Sequence, residues 1–296
     1  MTTSQSPDWS LYRSFLSVLR TGSLSAAARQ EGLTQPTVGR HVDALEKALG
    51  VSLFTRSQHG LSPTEAALEL RPYAESLEAT AAALVRAAVG RAGTRGTVRV
   101  TASEVIGAEV LPSILAKLHE AHPGLVIELV LSNRTEDLLR READIAVRMV
   151  RPTQQALVVR HVGDVEVGLH AHRDYLERRG TPSNAAELRE HSLIGFDHES
   201  AFIRSVRERG YALDRGMFAL RSDSDLAQLA ALRAGFGIGA CQVGLARRSA
   251  DLVRLLPKSF SFKLEVWLAM HADLRSSARC RVVADALAAG LAAYAE

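Results

Sequence analysis

Residues 23–49 read SLSAAARQEGLTQPTVGRHVDALEKAL, and this stretch predicts two short helices joined by a tight glycine turn. Ser23 is placed to cap the first helix with its hydroxyl. Gly32 stands where the end of a helix favours a residue with positive φ. Thr34 is placed to cap the second helix, and Pro36 is tolerated in its first turn because no backbone N–H is needed there. The question is what the second helix faces.

The second helix of the pair has an apolar back and a polar front. Its buried stripe is predicted to be Val38, Val42, Leu45 and Leu49. The opposite side carries Thr37, Arg40, His41 and Ala44, with Gln35 and Pro36 at the exposed tip. A short helix, a glycine turn and such a second helix form a helix-turn-helix, whose second helix enters the major groove of DNA. Arginine suits guanine there, and glutamine suits adenine, by paired hydrogen bonds.

The next segment, VSLFTRSQHGLSP at residues 51–63, predicts a β-hairpin wing. Two short extended pieces flank a turn at His59, and both Arg56 and His59 are candidates for contact with phosphate or with the minor groove. Alternatively, Arg56 pairs with a carboxylate such as Glu46. Residues 1–62 are therefore predicted to be a winged helix-turn-helix DNA-binding domain.

One helix precedes this pair and a long helix follows the wing. Asp8 is placed to cap the first helix, which ends at Gly22. Residues 63–89 predict one helix rich in Ala, Leu and Glu, in which Pro72 introduces a kink or a break. Together with the basic segment GRAGTRG that follows, residues 63–96 are predicted to be a linker helix and hinge. The apolar positions of this helix form a seam for a partner helix: Ala67, Leu70, Ala74, Leu77, Ala81, Leu84 and Ala88.

From residue 97 the pattern changes to strands alternating with helices, which is typical of an α/β fold. The predicted strands are 97–102, 125–131, 144–148, 165–170, 192–195, 217–221, 237–241 and 262–269. The predicted helices are 107–121, 135–141, 173–179, 184–189, 224–234, 243–248 and 275–294. They group residues 97–296 into two lobes, the first about 97–160 plus 268–296 and the second about 161–267. A cleft between two lobes is the usual place for a small ligand.

The composition is that of a globular protein and limits the classes of function. Of the 296 residues, 47% are hydrophobic and 23% are charged, which argues against a disordered chain. The net charge of +3 permits nucleic-acid binding without requiring it. There is no apolar run long enough to span a membrane and no signal-peptide pattern, and the two cysteines exclude a disulfide scaffold. We therefore expect a cytoplasmic protein with no membrane contact, no bound metal and no cofactor.

Residues 15–66 closely resemble the N-terminal winged helix-turn-helix of LysR-type transcriptional regulators. The shared features are the Ala-Ala-Ala helix, TQPTV at the start of the recognition helix, ALEKALGVSLFTR after it, and LSPTEA at the start of the linker helix. Three later segments are similar to parts of the family's effector domain: VRVTASEVIGAEVLPSILAKLHEAHPGLVIELVLSN, ADIAVR and LAALRAGFGIGACQ. The resemblance covers essentially the full chain.

The resemblance implies a transcriptional regulator that binds promoter DNA sequence-specifically and responds to a small-molecule effector in the interlobe cleft. It implies an α/β protein overall, with a winged helix-turn-helix, a long linker helix and a two-lobed effector-binding domain like a periplasmic binding protein. The positions implied to contact DNA are Gln35, Pro36, Thr37, Arg40, His41, Arg56 and His59. The positions implied to bind the effector are Thr101, Ala102, Ser103, Asn133, Arg148, Phe196, Ser222 and Ser224. A homodimer or homotetramer held by linker helix 63–89 is also implied, with RNA polymerase as a further partner.

Several of these residues have a simpler structural explanation, which the sequence leaves open. The alternatives are a solvated charge for Arg40, helix capping for Ser103 and Asn133, and an ion pair with Asp144 or Glu142 for Arg148. Four positions depart from the family pattern: Gly39 in place of serine, His41 in place of glutamine, Ala67 in place of glycine and Gln242 in place of proline.

Two functions from other classes compete with a regulator. A two-lobed solute-binding protein would share the effector-domain pattern, but the absence of a signal-peptide pattern and the presence of the helix-turn-helix argue against it. An enzyme acting in the cleft would need a catalytic set of residues. Ser103 lies outside any Gly-x-Ser-x-Gly motif, and no base can be placed beside it from the sequence. We therefore predict a protein that is not an enzyme.

Overall fold

The structure is a computed structural model that describes residues 7–57, 60–89, 94–133, 143–152, 157–208, 210–211 and 214–296. The side chains of Arg56, Ser57, Ala83, residues 86–89, Ala201, Phe202 and Ser205 lie outside that description. The chain divides between Val85 and Arg86 into two compact units, which we call the N-terminal unit and the C-terminal unit.

The N-terminal unit contains three short helices, a two-stranded hairpin and most of a long helix. Its elements are α1 (Trp9–Thr21), α2 (Leu24–Glu31), α3 (Gln35–Leu49), β1 (Phe54–Ser57), β2 (Gly60–Pro63) and α4 (Glu65–Val89). Strands β1 and β2 pair antiparallel, with Arg56 opposite Leu61. The predicted winged helix-turn-helix and long linker helix are confirmed.

The turns between the first helices form as the local sequence predicts. The Asp8 carboxylate accepts a hydrogen bond from the backbone N–H of Ser10 at 2.8 Å and so caps α1. Gly22 and Gly32 end α1 and α2 with φ of +65° and +67°, a conformation that glycine adopts without a Cβ clash. The backbone N–H of Leu61 donates to the Gly22 carbonyl at 2.9 Å, so the same turn supports the wing.

Two local predictions for α3 are wrong. Thr34 stands at the N-cap position, but its hydroxyl lies 2.8 Å from the Thr37 hydroxyl and caps no backbone N–H. Leu49 was expected to extend the buried stripe, yet it is 37% exposed, whereas Val38 and Leu45 are fully buried. Leu49 is the last residue of α3, where the helix extends beyond the core that the earlier turns cover.

Helix α4 is continuous over 25 residues, so Pro72 does not break it. The first half of the predicted seam is buried within the chain itself. Ala67 and Ala74 are fully buried, and Leu70 packs beside them in a core that includes Phe15 and Leu45. The seam is therefore wrong as a partner surface over this half, because those positions already contact the helix-turn-helix. Among the side chains of α4 that the structure describes, five large apolar ones are exposed: Leu68, Tyr73, Leu77, Leu84 and Val85.

The C-terminal unit is a mixed sheet with helices packed on it, so the predicted α/β class is confirmed. Its strands are β3 (Gly96–Ala102), β4 (Leu125–Leu131), β5 (Ile145–Arg148), β6 (Leu157–His172), β7 (Leu193–Gly195), β8 (Phe218–Arg221), β9 (Ile238–Gln242), β10 (Leu252–Leu255) and β11 (Ser261–His271). Its helices are α5 (Glu104–Glu109), α6 (Leu111–Ala121), α7 (Arg173–Arg179), α8 (Ala201–Glu208), α9 (Asp225–Arg233), α10 (Val243–Ala246) and α11 (Ala278–Ala295). The strand order is β4-β3-β5-β11-β6-β9-β7-β8, and β10 pairs with β6.

The long antiparallel strands β6 and β11 connect the two lobes of this unit. On one side β3 pairs parallel with β4 and β5, and on the other β7 pairs parallel with β8 and β9. The β6–β11 pairing changes register between Val266 and Trp267, where Trp267 lies opposite His161. Such an irregularity bends a strand and increases its twist. It lies where the sequence analysis places the boundary between the lobes.

Several predicted element bounds in this unit need correction. The predicted strand 165–170 is part of the longer β6, whose backbone pairs with β11 even where its side chains are polar. The predicted helix 107–121 is two helices, because Pro112 has no N–H to donate to the preceding turn. Residues 186–190 form a 3₁₀ helix in place of an α-helix. Helix α8 and strand β10 were not predicted from the sequence. The predicted helix 135–141 lies outside the described residues.

Each lobe has its own apolar core. In the first lobe, Val100, Ile145 and Leu268 of the sheet pack against Val283 and Leu287 of α11, so the last helix returns to the lobe that begins at β3. The second lobe buries residues of β7, α7 and the segments around them. Among the described helices, none combines the length and the apolar character that a membrane span requires.

Candidate DNA interface and effector cavity

Helix α3 presents a polar surface at its N-terminal end. Gln35, Pro36 and Arg40 are exposed there, and Thr37 is half-buried between them. The Arg40 guanidinium lies 3.5 Å from the Thr37 hydroxyl, which is a weak contact that leaves the guanidinium in solvent. This surface is opposite the buried Val38 and its neighbours on the stripe. It can therefore approach the bases of a DNA groove without disturbing the core.

His41 is joined to the two preceding helices by a chain of hydrogen bonds. Its Nδ1 lies 2.8 Å from the hydroxyl of the fully buried Ser14 in α1, and that hydroxyl donates to Glu31 of α2 at 3.0 Å. Since Ser14 gives its single proton to the carboxylate, Nδ1 of His41 must donate to Ser14. His41 is thus partly a packing residue of the helix-turn-helix, while its DNA contact stays a prediction.

The hairpin places the backbone of Arg56 in the wing, as predicted. Arg56 stands in the middle of β1, but its side chain lies outside the described residues, as does the whole of His59. Glu46, the carboxylate suggested as an alternative partner for Arg56, accepts the backbone N–H groups of Leu53 at 2.6 Å and Phe54 at 3.2 Å. Glu46 therefore fixes the start of the wing on α3.

The C-terminal unit encloses a cavity of about 1190 Å³ that is lined by both lobes. Ser103, Asn133 and Arg148 contribute to its wall from the first lobe, and Phe196 contributes from the second. Most of the remaining wall is apolar. It includes an aromatic cluster in which the Tyr211 and Phe260 rings lie 4.7 Å apart. The cavity thus combines a large apolar surface with a few polar groups, as small-molecule sites do.

The predicted effector residues of the first lobe divide into wall and support. Ser103 is in the wall at the start of α5, where its hydroxyl forms no capping bond. The buried Arg148 donates to the Thr101 hydroxyl and to the Val147 carbonyl, each at 3.0 Å. Thr101 thus acts behind the wall, and Ala102 is fully buried there. The structure brings Ser103 and Arg148 together at the ends of β3 and β5.

The predicted residues of the second lobe divide in the same way. Phe196 is a largely buried part of the cavity wall, and its ring lies 5.0 Å from that of Phe218, which also lines the cavity. Ser222 accepts the backbone N–H of Ser224 at 3.2 Å. The Ser224 hydroxyl caps α9 by accepting from Ala227 at 3.4 Å. The two serines shape the turn before α9 and are not among the residues that line the cavity.

Contacts between α5 and α9 hold the lobes together beside the cavity. Glu104 Oε2 accepts hydrogen bonds from the Ser224 hydroxyl at 3.0 Å and from the backbone N–H of Leu226 at 3.4 Å. The Asn133 amide accepts from the backbone N–H of Glu104 at 3.0 Å and donates to Asp225 at 2.9 Å. Asn133 therefore bridges the two lobes. Sequence reasoning missed Glu104 and Asp225, since nothing local to either residue indicates a partner about a hundred positions away.

Other groups of the wall have shifted protonation equilibria. Burial raises the pKa of the Cys241 thiol to about 11, so this cysteine is a poor nucleophile at neutral pH. The hydrogen bond to Asp223, with the charges of Asp223 and Asp197, raises the pKa of His198. The side chains of Asp197, His198 and Asp223 place their potential metal-binding atoms within 4.8 Å of one another. Asp223 also accepts both backbone N–H groups of the Asp197–His198 turn, which explains the cluster as an anchor for that loop.

The aromatic part of the wall was also missed. Phe260 and Phe262 alternate in the sequence SFSF, which is an ordinary strand pattern, and Tyr211 follows α8, an element that was not predicted. The Tyr211 hydroxyl donates to the Ser261 carbonyl at 2.7 Å, which holds the three rings together. Alternation of aromatic residues near the end of the chain was the available signal.

Comparisons with known proteins match a family model to each of the two units. Residues 9–68 match the bacterial regulatory helix-turn-helix protein, lysR family, and residues 91–292 match the LysR substrate binding domain. The probable HTH-type transcriptional regulator LtrA of Klebsiella pneumoniae is 27% identical over 290 residues, which cover 95% of this chain and 93% of that protein. The HTH-type transcriptional regulator CrgA of Neisseria meningitidis is 32% identical over 183 residues, about three fifths of each chain.

Solved structures show the same fold. Full-length CbnR, determined in complex with its target DNA, superposes with a TM-score of 0.65 at 18% sequence identity, covering 96% of this chain and 99% of that one.

Proposed function

Because the chain belongs to the LysR family of transcriptional regulators, we propose that α3 reads promoter DNA and that the cavity of the C-terminal unit binds the effector. The observation that carries the proposal is the exposed surface of Gln35, Pro36 and Arg40 on a helix whose other side is buried. The effector cavity is formed by the same chain, so one molecule holds both the DNA-reading surface and the ligand site.

Arg40 and Gln35 are proposed to read base edges. The Arg40 guanidinium has the geometry to donate two hydrogen bonds to guanine, and the Gln35 amide has the geometry to pair with adenine. Thr37, His41, Arg56 and His59 are proposed to complete the interface, chiefly through contacts with phosphate. Phosphate contacts add affinity that falls as salt rises, but they carry little sequence information.

The effector is proposed to be a small molecule that binds between the lobes. Ser103, Asn133, Arg148 and Phe196 line the cavity and are the proposed contacts, while Thr101, Ala102, Ser222 and Ser224 are proposed to support them. A ligand that contacts both lobes changes the free-energy difference between closed and open arrangements. It can do so only by as much as its affinity differs between the two. This supplies the coupling that a regulator needs.

Binding without catalysis is part of the proposal. Within the described part of the chain, no hydrogen bond joins the Ser103 hydroxyl to a histidine or a carboxylate, so Ser103 has no visible means of activation. No cofactor is required for the proposed function. Self-association through the exposed part of α4 and contact with RNA polymerase complete the proposed set of partners.

The proposal is tested by measuring the affinity of the purified protein for DNA from beside its own gene, at two salt concentrations. We expect Arg40→Ala to lose about 1–3 kcal/mol of binding free energy and most of the preference over scrambled DNA. Lys47→Ala is the matched control, since Lys47 is an exposed cation at the far end of the same helix. If the wild type shows no preference for that DNA, or if Lys47→Ala costs as much as Arg40→Ala, the assignment of the reading surface is wrong.

A further inference from the structure

The cavity wall nearest α9 is rich in carboxylates. Asp225 is the first residue of α9 and lines the cavity, while Glu104 reaches from α5 to the same helix end. Asp223 lies two residues before Asp225 and also lines the cavity. This concentration of negative charge bears on which effector the cavity accepts.

Glu104 already occupies the N-terminus of α9, which is one place in the wall where an anionic ligand would bind. The N-terminus of a helix attracts anions, because its first backbone N–H groups have no partner within the helix. At α9 the Glu104 carboxylate accepts the backbone N–H of Leu226 and the hydroxyl of Ser224. A carboxylate of an effector would have to displace this internal carboxylate, which is held beside the helix by its own chain. It would also bring a further negative charge next to Asp225.

The Asp225 carboxylate, unlike that of Glu104, accepts few hydrogen bonds. Among the described residues, the Asn133 amide at 2.9 Å is the one hydrogen-bond donor that its side chain meets. Burial by the surrounding protein raises the pKa of Asp225; the Asn133 hydrogen bond acts in the other direction, and the charge of Glu104 raises it further. The side chain is nonetheless accessible from the cavity. A ligand that brings a positively charged N–H donor would stabilise the ionised carboxylate.

Two cationic side chains of the wall are committed to other groups. Both terminal nitrogens of the Arg148 guanidinium donate within the first lobe, to Thr101 and to Val147. The His198 ring is paired with Asp223 at 2.6 Å. Arg189 also lines the cavity and is exposed to solvent. These two acceptors of Arg148 are neutral, so its guanidinium keeps its positive charge, but the hydrogen bonds hold it on the first lobe. Of the neighbouring charges, it is that of Glu104, and not that of Arg148 or His198, that shifts the pKa of Asp225.

We propose that the effector of this chain is an apolar ring compound with an amine group, whose ammonium donates to Asp225 while its ring packs on the aromatic and aliphatic wall. The inference rests on the proposed function, in that it assumes the cavity is the effector site. Tyr211, Phe260 and Leu229 line the same cavity, and Leu229 follows Asp225 by four residues on α9, so they offer an apolar surface for the ring. Glu104 excludes carboxylate-bearing analogues by holding the end of α9.

The test is a comparison of three ligands that share one ring, titrated calorimetrically into the full chain at neutral pH. The probes are naphthylmethylamine, naphthylmethanol and naphthoate, which differ in charge and little in size. We expect the amine to bind at least about tenfold more tightly than the alcohol, and the acid to bind most weakly. Tighter binding of the acid than of the amine would overturn the proposal, as would the absence of binding by all three at millimolar concentration.

Substitutions at Asp225 and Glu104 test whether these two residues cause the expected ligand preference. Asp225→Asn is expected to remove most of the preference for the amine over the alcohol, because the charge is lost while the shape is kept. Glu104→Gln is expected to improve binding of the acid by about tenfold or more. Asp285→Asn removes an exposed carboxylate from α11 and serves as the matched control, with no expected change. An unchanged amine preference in Asp225→Asn would refute the assignment.

The effector class can be tested independently of variant folding and of DNA binding. The ligand ranking of the wild type needs no variant, so a variant that fails to fold does not remove the test. DNA binding by α3 is measured separately, so its retention alongside a failed ligand ranking would refute the effector class without touching the DNA-reading proposal.

Discussion

Ser14 connects three helices of the N-terminal unit through one hydroxyl. It lies in α1, donates to Glu31 in α2 and receives a hydrogen bond from His41 in α3. The Glu31 side chain is only 4% exposed and is also approached by Arg13 at 3.5 Å. A buried carboxylate needs donors, because desolvation without compensation is costly. Loss of the Ser14 hydroxyl is therefore expected to destabilise the packing of all three helices.

Ser14→Ala is expected to reduce the free energy of unfolding of the N-terminal unit by about 1–3 kcal/mol, because it leaves Glu31 and His41 without a shared partner. The chain has two tryptophans, Trp9 and Trp267, so urea unfolding followed by Trp9 fluorescence in a Trp267→Phe background reports on this unit alone.

Ser17→Ala is the control for that measurement, since Ser17 is a buried serine of the same helix with no side-chain hydrogen bond to another described residue. An equal loss in both variants would mean that the hydrogen-bond chain contributes nothing specific.

At the scale of elements, α4 serves two purposes along one helix. Its first turns complete the core of the N-terminal unit through Ala67 and Ala74. Further along, Leu77 is 48% exposed and Leu84 is 65% exposed, seven residues apart and so on one face. Exposed apolar side chains at this spacing are typical of a helix that pairs with another helix. The second half of the predicted seam is therefore the part available to a second copy of the chain.

Leu77→Glu is expected to convert the assembled protein to monomer and to weaken its DNA binding, because a charge placed in an apolar helix contact remains unpaired. The mass is measured by sedimentation equilibrium over a range of protein concentrations. Ala82→Glu introduces the same charge at an exposed position of α4 that lies away from Leu77 on the helix. It should leave the mass unchanged, and an unchanged mass in Leu77→Glu would exclude this face as the interface.

At the scale of the whole molecule, hydrogen bonds between α5 and α9 join the two lobes of the C-terminal unit at both ends of this helix pair. At one end Glu104 meets the start of α9, and at the other Glu109 accepts two hydrogen bonds from Arg233, each 2.7 Å long. Arg248 adds a hydrogen bond to the Glu109 carbonyl at 3.0 Å. Together with the bend in β6 and β11, these contacts make the arrangement of the lobes dependent on a few polar groups.

These contacts predict a pH dependence. The hydrogen bonds from Arg233 lower the pKa of Glu109, with burial acting in the opposite direction. A carboxylate with a lowered pKa in the folded state contributes stability above its unfolded pKa, and loses that contribution as the pH falls through the folded value. At pH 7 we expect Glu109→Gln to cost about 0.5–1 kcal/mol of unfolding free energy, since the pair is partly exposed to solvent.

The difference between wild type and Glu109→Gln should shrink as the pH falls below about 4.3, the ordinary pKa of a glutamate. It is measured by urea unfolding in a Trp9→Phe background, where Trp267 reports on the C-terminal unit. A difference that stays constant from neutral to acidic pH would show that the ion pair is not its source.

Much of the candidate site was not predictable, because its contacts join distant parts of the chain. Ser103, Asn133, Arg148 and Phe196 were expected in the effector site from the family resemblance, and they do line the cavity. The roles of Asp225 and Glu104 between the lobes were not predicted. Each is the first residue of a helix, where an acidic side chain is common. No local feature of the sequence distinguishes an acidic side chain that faces a cavity from one that faces solvent.

The sequence by itself determined the elements whose signals are local. Asp8 caps α1 and Gly22 ends it through hydrogen bonds that span only two to four residues, so the residue types alone are sufficient. Tertiary structure alone decided which faces those elements bury. Leu49 and Leu77 repeat like their buried neighbours yet remain exposed, and Glu104 bonds to a residue 120 positions away. The reason is that burial and long-range hydrogen bonding depend on what the fold places opposite a side chain, and a periodic pattern carries no record of that.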